Sequence, residues 1–227
     1  MFVWKEHSLY DRLLVSRGVK KMGTALTLPE QRVVLQNVSW ETYEHLLSDH
    51  LDASSPRFTF DRGALEIMSP SSEHEEYKQA LSLLVEILAD ELGRDIRNLG
   101  STTFKRSQLE RGFEADACFY FERMHGKTHI DAAIDPAPDL VIEVEITAPA
   151  LNKLAIYADF RVPEVWRYDG RHLVILHLVG TEYIESPSSL AFPKASAAEL
   201  SGLVQQSMSL KRREWLRVLR DWVRELS

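Results

Sequence analysis

Cysteine is almost missing from this chain: Cys118 stands alone among 227 residues. A disulfide framework and a cysteine-rich zinc site are therefore excluded, and a reducing, cytoplasmic setting is expected. Long apolar runs are missing as well. None approaches the roughly 20 residues of a membrane span, and the N-terminal stretch MFVWKEHSLYDRLLVSRGVKKMG has no apolar core of the signal-peptide kind. There is no internal repeat, low-complexity tract or strong linker. No glycine-rich phosphate loop, zincin helix or nucleophile elbow occurs. The eight histidines show no metal-ligand spacing. Net positive charge is lacking too. At −7 the chain does not look like a nonspecific DNA coat protein. A nuclease stays open, because its carboxylates add negative charge that a metal offsets and a local basic strip can hold phosphates.

What remains is globular in composition, 44% apolar and 27% charged, and long enough to bury one core without staples. The organised pattern begins late. Residues 1–32 read as an N-terminal extension, and Met22 is a second candidate start. Ser39 to His50 predicts a short helix with Ser39 as N-cap. RFTFDRGALEIM predicts a hairpin turning at Asp61-Arg62-Gly63. Ser72 and Glu75 have capping-box spacing. They open a long helix with Tyr77, Leu81, Leu84 and Leu88 on one stripe and Gly93 as its stop. Gly112 to Phe121 reads as one strand. Asp139 to Thr147 reads as another, covered on both faces, with a polar loop, Lys127 to Pro138, between them. PALNKLAIYADF predicts a helix capped by Thr147. EVWRY and HLVILHLV flank a turn at Asp169-Gly170-Arg171. From Leu210 to Leu226 an amphipathic helix carries Leu216, Leu219, Val223 and Leu226 on one stripe. The order predicts an α/β fold, a mixed central sheet flanked by helices.

The chemistry concentrates in two of these strands. Asp116 lies inside EADACFYF, and Glu143 and Glu145 lie two apart, on one face, inside DLVIEVEIT. An acid buried in an apolar strand must be paired, protonated or metal-bound. An acid in a strand is commonly a solvent-facing group or an ion-pair partner; three on successive core-like strands favour a site. If the strands are neighbours, Asp116 and Glu143 converge, and with Glu145 they offer hard oxygens suited to Mg²⁺ or Mn²⁺. Lys153 shares a helix face with Ile156, Tyr157 and Phe160, from which it can reach the carboxylates. The alternative is a snorkelling surface lysine. His74, on the buried stripe of the long helix, can face the cleft or serve as a core or capping histidine. Glu66 is a weaker candidate. Lys105 and Arg106, after Ser101-Thr102-Thr103, offer cations for a nucleic-acid backbone, as do Lys211, Arg212, Arg213, Arg217, Arg220 and Arg224. Glu214, Asp221 and Glu225 among the latter favour a plain solvated face. Trp215 and Trp222 suggest packing of the tail on the body or on a second subunit.

These segments resemble the Uma-type family of bacterial endonucleases, a domain of unknown function placed in the PD-(D/E)XK nuclease superfamily. The resemblance lies in SWETYEHLL, RFTFDRGALEIMSPSSEHE, GSTTFKR, GFEADACFYF, PDLVIEVEIT, LNKLAIYADFRVPEVWRYDG and SLAFP, in order, over nearly all of residues 33 to 205. It implies a restriction-endonuclease-like nuclease domain over 33–205, with 206–227 as a C-terminal helix outside it. Asp116 matches the first signature acid, Glu143 the acid of the second half-motif, and His74 a histidine the family usually shows. Three positions depart. Glu145 stands where the signature lysine belongs, so Lys153 must supply the cation from the next helix, as the family's pattern suggests. Ala115 replaces the usual proline. Arg161 stands where glycine is common, and carries strain if that position needs a positive φ. The expectation is a Mg²⁺- or Mn²⁺-dependent endonuclease acting on DNA as a homodimer. The alternative is a catalytically degenerate nucleic-acid- or protein-binding module with the same fold.

Overall fold

The computed structural model describes residues 29–226, apart from 51, 52, 54, 125, 129, 132 and 133. Most of the expected N-terminal extension, Met22 included, lies outside the described residues. Two sheets carry the fold. The first is a five-stranded sheet of order β1-β3-β2-β6-β5, built from β1 (Gln31–Leu35), β2 (Arg57–Asp61), β3 (Ala64–Ser69), β5 (Thr103–Arg106) and β6 (Arg111–Glu114). The second is six-stranded, of order β11-β10-β9-β8-β7-β4, built from β4 (Ile96–Gly100), β7 (Ala117–Phe121), β8 (Leu140–Val144), β9 (Glu164–Tyr168), β10 (Leu173–Val179) and β11 (Glu182–Ser186). All pairs are antiparallel except β8 with β9. That parallel pair is joined through α3 (Lys153–Phe160), as a parallel connection requires a crossover. The expected α/β architecture with a mixed sheet is present; the separate antiparallel sheet is an addition to it.

Three apolar clusters hold these layers. On one face of the six-stranded sheet, Phe119, Ile142 and Trp166 meet Leu81, Leu84 and Leu88 of α2 (Ser72–Glu91). Leu200 of α4 (Ala197–Ser207) and Trp215, Leu219 and Val223 of α5 (Arg212–Leu226) join the same cluster. On the other face, Cys118, Val141 and Val165 meet Tyr157 and Phe160 of α3 and Phe113 of the five-stranded sheet. The third cluster seats Tyr43 of α1 (Trp40–Asp49) on Phe58, Phe60 and Leu65. β8 is buried along its whole length, which explains its continuous apolar run.

Several predicted boundaries hold. Ser39 caps α1, accepting from the Thr42 N–H at 3.2 Å. The β2–β3 hairpin forms at the predicted turn. Arg161 ends α3 with φ 64°, the left-handed conformation that favours glycine. Others are corrected. The strand expected over Gly112 to Phe121 is two strands in different sheets, split at Ala115-Asp116, where the Asp116 carboxylate takes the Val144 N–H at 2.6 Å. α2 is capped by Ser71 rather than Ser72: the Ser71 hydroxyl accepts from the His74 N–H at 3.1 Å. Glu75 closes no capping box and reaches Arg57 and Lys78 instead. Asn152, not Thr147, caps α3, its side chain accepting from the Ala155 N–H, while the Ala150 N–H before the helix donates to Glu66 at 3.0 Å. In α5 the buried stripe is Trp215, Leu219 and Val223, with Leu216 and Leu226 half-buried. Trp215 packs on the body of its own chain, its indole N–H on the Leu203 carbonyl at 2.7 Å.

Candidate active site

Asp116 sits where the chain leaves β6 in one sheet and enters β7 in the other. β7 runs antiparallel to β8 with Ala117 opposite Ile142. One further step in that register sets Asp116 against Glu143 on the face that meets α3. Both carboxylates are buried, 1% and 2% exposed. A buried anion is costly unless it is paired and hydrogen-bonded, and each acid has its own cation.

Glu143 is held from α3. Lys153 Nζ donates to Oε2 at 2.7 Å, and the Tyr157 hydroxyl donates to Oε1. The two are four residues apart, so one helix face presents both. Burial first, then the neighbouring Glu143, pushes the Tyr157 hydroxyl pKa far up, so it stays a donor. Asp116 is held from two sides. The Val144 N–H fixes Oδ2, and the Arg57 guanidinium at the start of β2 pairs with Oδ1. His74 closes the arrangement from the first turn of α2. Its ring is fully buried, with Nε2 3.2 Å from Asp116 Oδ2 and 3.9 Å from Glu30 Oε2. Neither ring nitrogen makes a hydrogen bond, and Glu30 Oε2 is also buried without one. Arg57 extends to Glu75 at 2.5 Å. The His74 ring beside it, then Arg57 and Lys78, outweigh burial and bring the Glu75 carboxyl down to about 2.

The five predicted catalytic residues divide by what they touch. His74 meets Asp116, and Lys153 meets Glu143. Glu145 follows Glu143 by two and points to Arg167, Nε to Oε2 at 3.7 Å. Burial first, then the Glu143 charge, raises its carboxyl pKa. Lys105 and Arg106 are engaged elsewhere: Lys105 with Glu44 at 2.7 Å, Arg106 stacked 4.8 Å from the Phe160 ring centroid. Glu66 is a buried structural acid, bridging Arg32 at 2.9 Å and the Ala150 N–H. Among the described residues, no three His, Cys, Asp or Glu side chains form a finished metal cage.

Three residues escaped sequence reasoning. Tyr157 carried a usable signal, its four-residue spacing from Lys153. Arg57, a cation opening an apolar strand, and Glu30, an acid just before β1, carried none that separates them from surface charges.

A family model described as "Uma2: Putative restriction endonuclease" matches residues 40–210. The chain belongs to this family. The Uma2 match contains Arg57, His74, Asp116, Glu143, Lys153 and Tyr157. Glu30 precedes it and α5 follows it. No curated protein matches the chain. A crystal structure described as "a putative nuclease belonging to DUF820", from Anabaena variabilis, is similar with a TM-score of 0.46 and 14% identity, over 79% of this chain and 99% of that one. No helix among the described residues is long and apolar enough to cross a membrane.

Proposed function

We propose that this chain hydrolyses phosphodiester bonds in DNA with a divalent cation, Mg²⁺ or Mn²⁺, held by Asp116 and Glu143 with Glu145 beside them. The observation that carries the reading is the opposition of two buried carboxylates on neighbouring strands, one touched by an ammonium and the other by an imidazole. The donor set fits a hard cation, being carboxylate oxygens. Buried groups without hydrogen bonds at this point include Glu30 Oε2, both His74 nitrogens, Asp116 Oδ1 and Arg57 Nε and Nη1, and they mark an incomplete polar cluster. Arg57 occupies Asp116 and must release it before a cation takes its place. Once bound, that cation supplies a water of lowered pKa and a counter-charge for the phosphate.

The remaining work falls to side chains of this protein. Tyr157 and the Val144 N–H fix the two carboxylates in orientation. Lys153 pairs with Glu143 and provides the ammonium that offsets charge on a phosphate oxygen. It fills the role that Glu145 cannot. His74 is placed to hold or pass a proton beside Asp116. Arg57, once released, offers a planar fork that suits phosphate oxygens. The expected homodimer enters here as the means of cutting both strands, a monomer giving nicks.

A second reading is favoured by the internal pairing itself: Arg57 on Asp116 and Lys153 on Glu143 neutralise the acids with no cation bound. On that reading the chain is a binding module that has lost catalysis. Titration of Mg²⁺ and Mn²⁺ calorimetrically into wild type and Glu143→Gln, with and without a DNA duplex, separates the two. Binding that is present in wild type and absent in the variant is expected. DNA binding with no metal uptake under either condition would favour the module.

A further inference from the structure

The Uma2 match ends at residue 210, and α5 begins just past it. Its outward face is unusual in a chain of net charge −7. Arg213, Arg217, Arg220 and Arg224 follow one another at steps of four, three and four residues and are all exposed. Those steps place them along one line of an α-helix, a strip about 16 Å long at roughly 1.5 Å per residue. The opposite line is the buried one, Trp215, Leu219 and Val223. Because that apolar face is sealed against α2 and α4, α5 has no free hydrophobic side to lay into a lipid surface, as an interfacial helix must. What it offers is charge.

That charge is only partly offset, by Glu91 below the strip and by Glu214 and Asp221 beside it. Arg220 and Arg224 approach the same carboxylate, Glu91, at 3.4 and 3.3 Å, and Arg224 also lies 3.5 Å from Asp221. Arg213 and Arg217 form no ion pair among the described residues. The strip also has a direction. Arg212 and Trp215 share a groove with Glu75, Glu76, Gln79 and Ala80 in the first turns of α2. Arg220 and Arg224 meet Glu91 at the far end of that helix. α5 thus runs alongside α2 in the same sense, and its first turn lies near the rim where His74 and Glu75 sit. Arginine forks suit phosphate better than a point charge does. A regular line of them complements the regular charge of a duplex backbone.

We propose that the arginine strip of α5 is a docking surface for the phosphate backbone of a DNA duplex, a positioning element outside the family domain that leads the duplex toward the Asp116–Glu143 site. The proposal rests on the DNA reading of that site, but binding along the strip needs neither the metal nor the two acids.

The test is fluorescence anisotropy of a labelled duplex of about 20 base pairs, titrated with the full chain in EDTA over a salt series. Wild type, Arg213→Glu/Arg217→Glu and Arg213→Lys/Arg217→Lys are compared, with circular dichroism to verify folding. The expected result is binding at least about tenfold weaker at low salt in the double variant. Its log–log salt slope falls by about two, near 0.9 per lost phosphate contact. Arg213→Lys/Arg217→Lys keeps most of the binding. Unchanged affinity and slope in the charge-reversed variant would overturn the strip. Wild type that binds duplex through the strip yet never cleaves it would sink the catalytic reading alone.

Discussion

Replacing Lys153 with methionine removes the ammonium that touches Glu143 while keeping most of the side chain's volume. Glu143 is 2% exposed and Lys153 6%, and their contact is 2.7 Å, so water cannot easily take the lost cation's place. Deleting one partner of a buried pair costs about 3–5 kcal/mol, because the other charge is stranded. The Tyr157 hydroxyl still donates to Oε1, which argues for the lower half of that range. At about 2–4 °C per kcal/mol for a domain of this size, a loss of about 3–4 kcal/mol should lower the melting temperature by roughly 6–16 °C. The assay is urea unfolding followed by tryptophan fluorescence, with the denaturant slope unchanged. Glu143→Gln/Lys153→Met removes both charges, and should recover at least about 1 kcal/mol of the single variant's loss, the signature of direct coupling. A Lys153→Met protein within about 1 kcal/mol of wild type would refute the reasoning. The pair would then not be the charge balance of the site.

Three further outcomes follow from the same geometry. Arg57→Gln uncovers Asp116, so Mn²⁺ affinity without DNA should rise on the order of tenfold, the equivalent of about 1.4 kcal/mol; calorimetry showing weaker uptake would mean that Arg57 supports the metal position. Folded Glu75, at about 2 against its ordinary 4.5, gives up its proton more readily than the unfolded side chain. Its contribution is therefore complete above about pH 4.5 and is lost as pH falls toward 2. Glu75→Gln should flatten the acid limb of the stability–pH curve, and an unaltered limb would argue against the Arg57–Glu75 contact. Gly112→Ala would place its methyl 2.2 Å from the Tyr43 hydroxyl and 2.9 Å from ring carbons. Tyr43 is fully buried, so overpacking should cost about 1–3 kcal/mol, read as a lower melting temperature.

Elements with strong local signals were legible in the sequence. The β2–β3 and β9–β10 hairpins announce themselves by their turns, α2 by its leucine spacing, and β8 by an unbroken β-branched run around Glu143. The edge elements were not. β1, β4, β5 and β11 are edge strands of four or five residues, too short to stand out, and α4 went unread although Ser196 and Glu199 form a capping box at its start. The division at Ala115-Asp116 was hidden for a different reason. GFEADACFYF alternates like one strand, and only distant partners divide it: β2 and β5 take its first half, β4 and β8 its second, and the Val144 N–H, 28 residues away, holds the Asp116 carboxylate at the division. The site shows the same limit. Asp116, Glu143, Lys153 and His74 could be singled out because acids in apolar strands and polar groups on apolar faces need a reason. Arg57 and Glu30 lie in segments where a charge is ordinary, and become part of the site only when the fold brings them to Glu75, Asp116 and His74. Arg161 was readable in advance as a misfit, and its φ of 64° gives the physical content.

The central claim is that Asp116 and Glu143 are the metal-binding pair of a DNA-cleaving enzyme. The most direct measurement is cleavage of supercoiled plasmid in Mg²⁺ and in Mn²⁺ by wild type and by Asp116→Asn, with both proteins shown to be folded. Wild type should convert supercoiled plasmid to nicked or linear forms only when a divalent cation is present, and Asp116→Asn should not do so even though it still binds duplex. Metal-dependent cleavage that survives at full rate in Asp116→Asn would contradict the account.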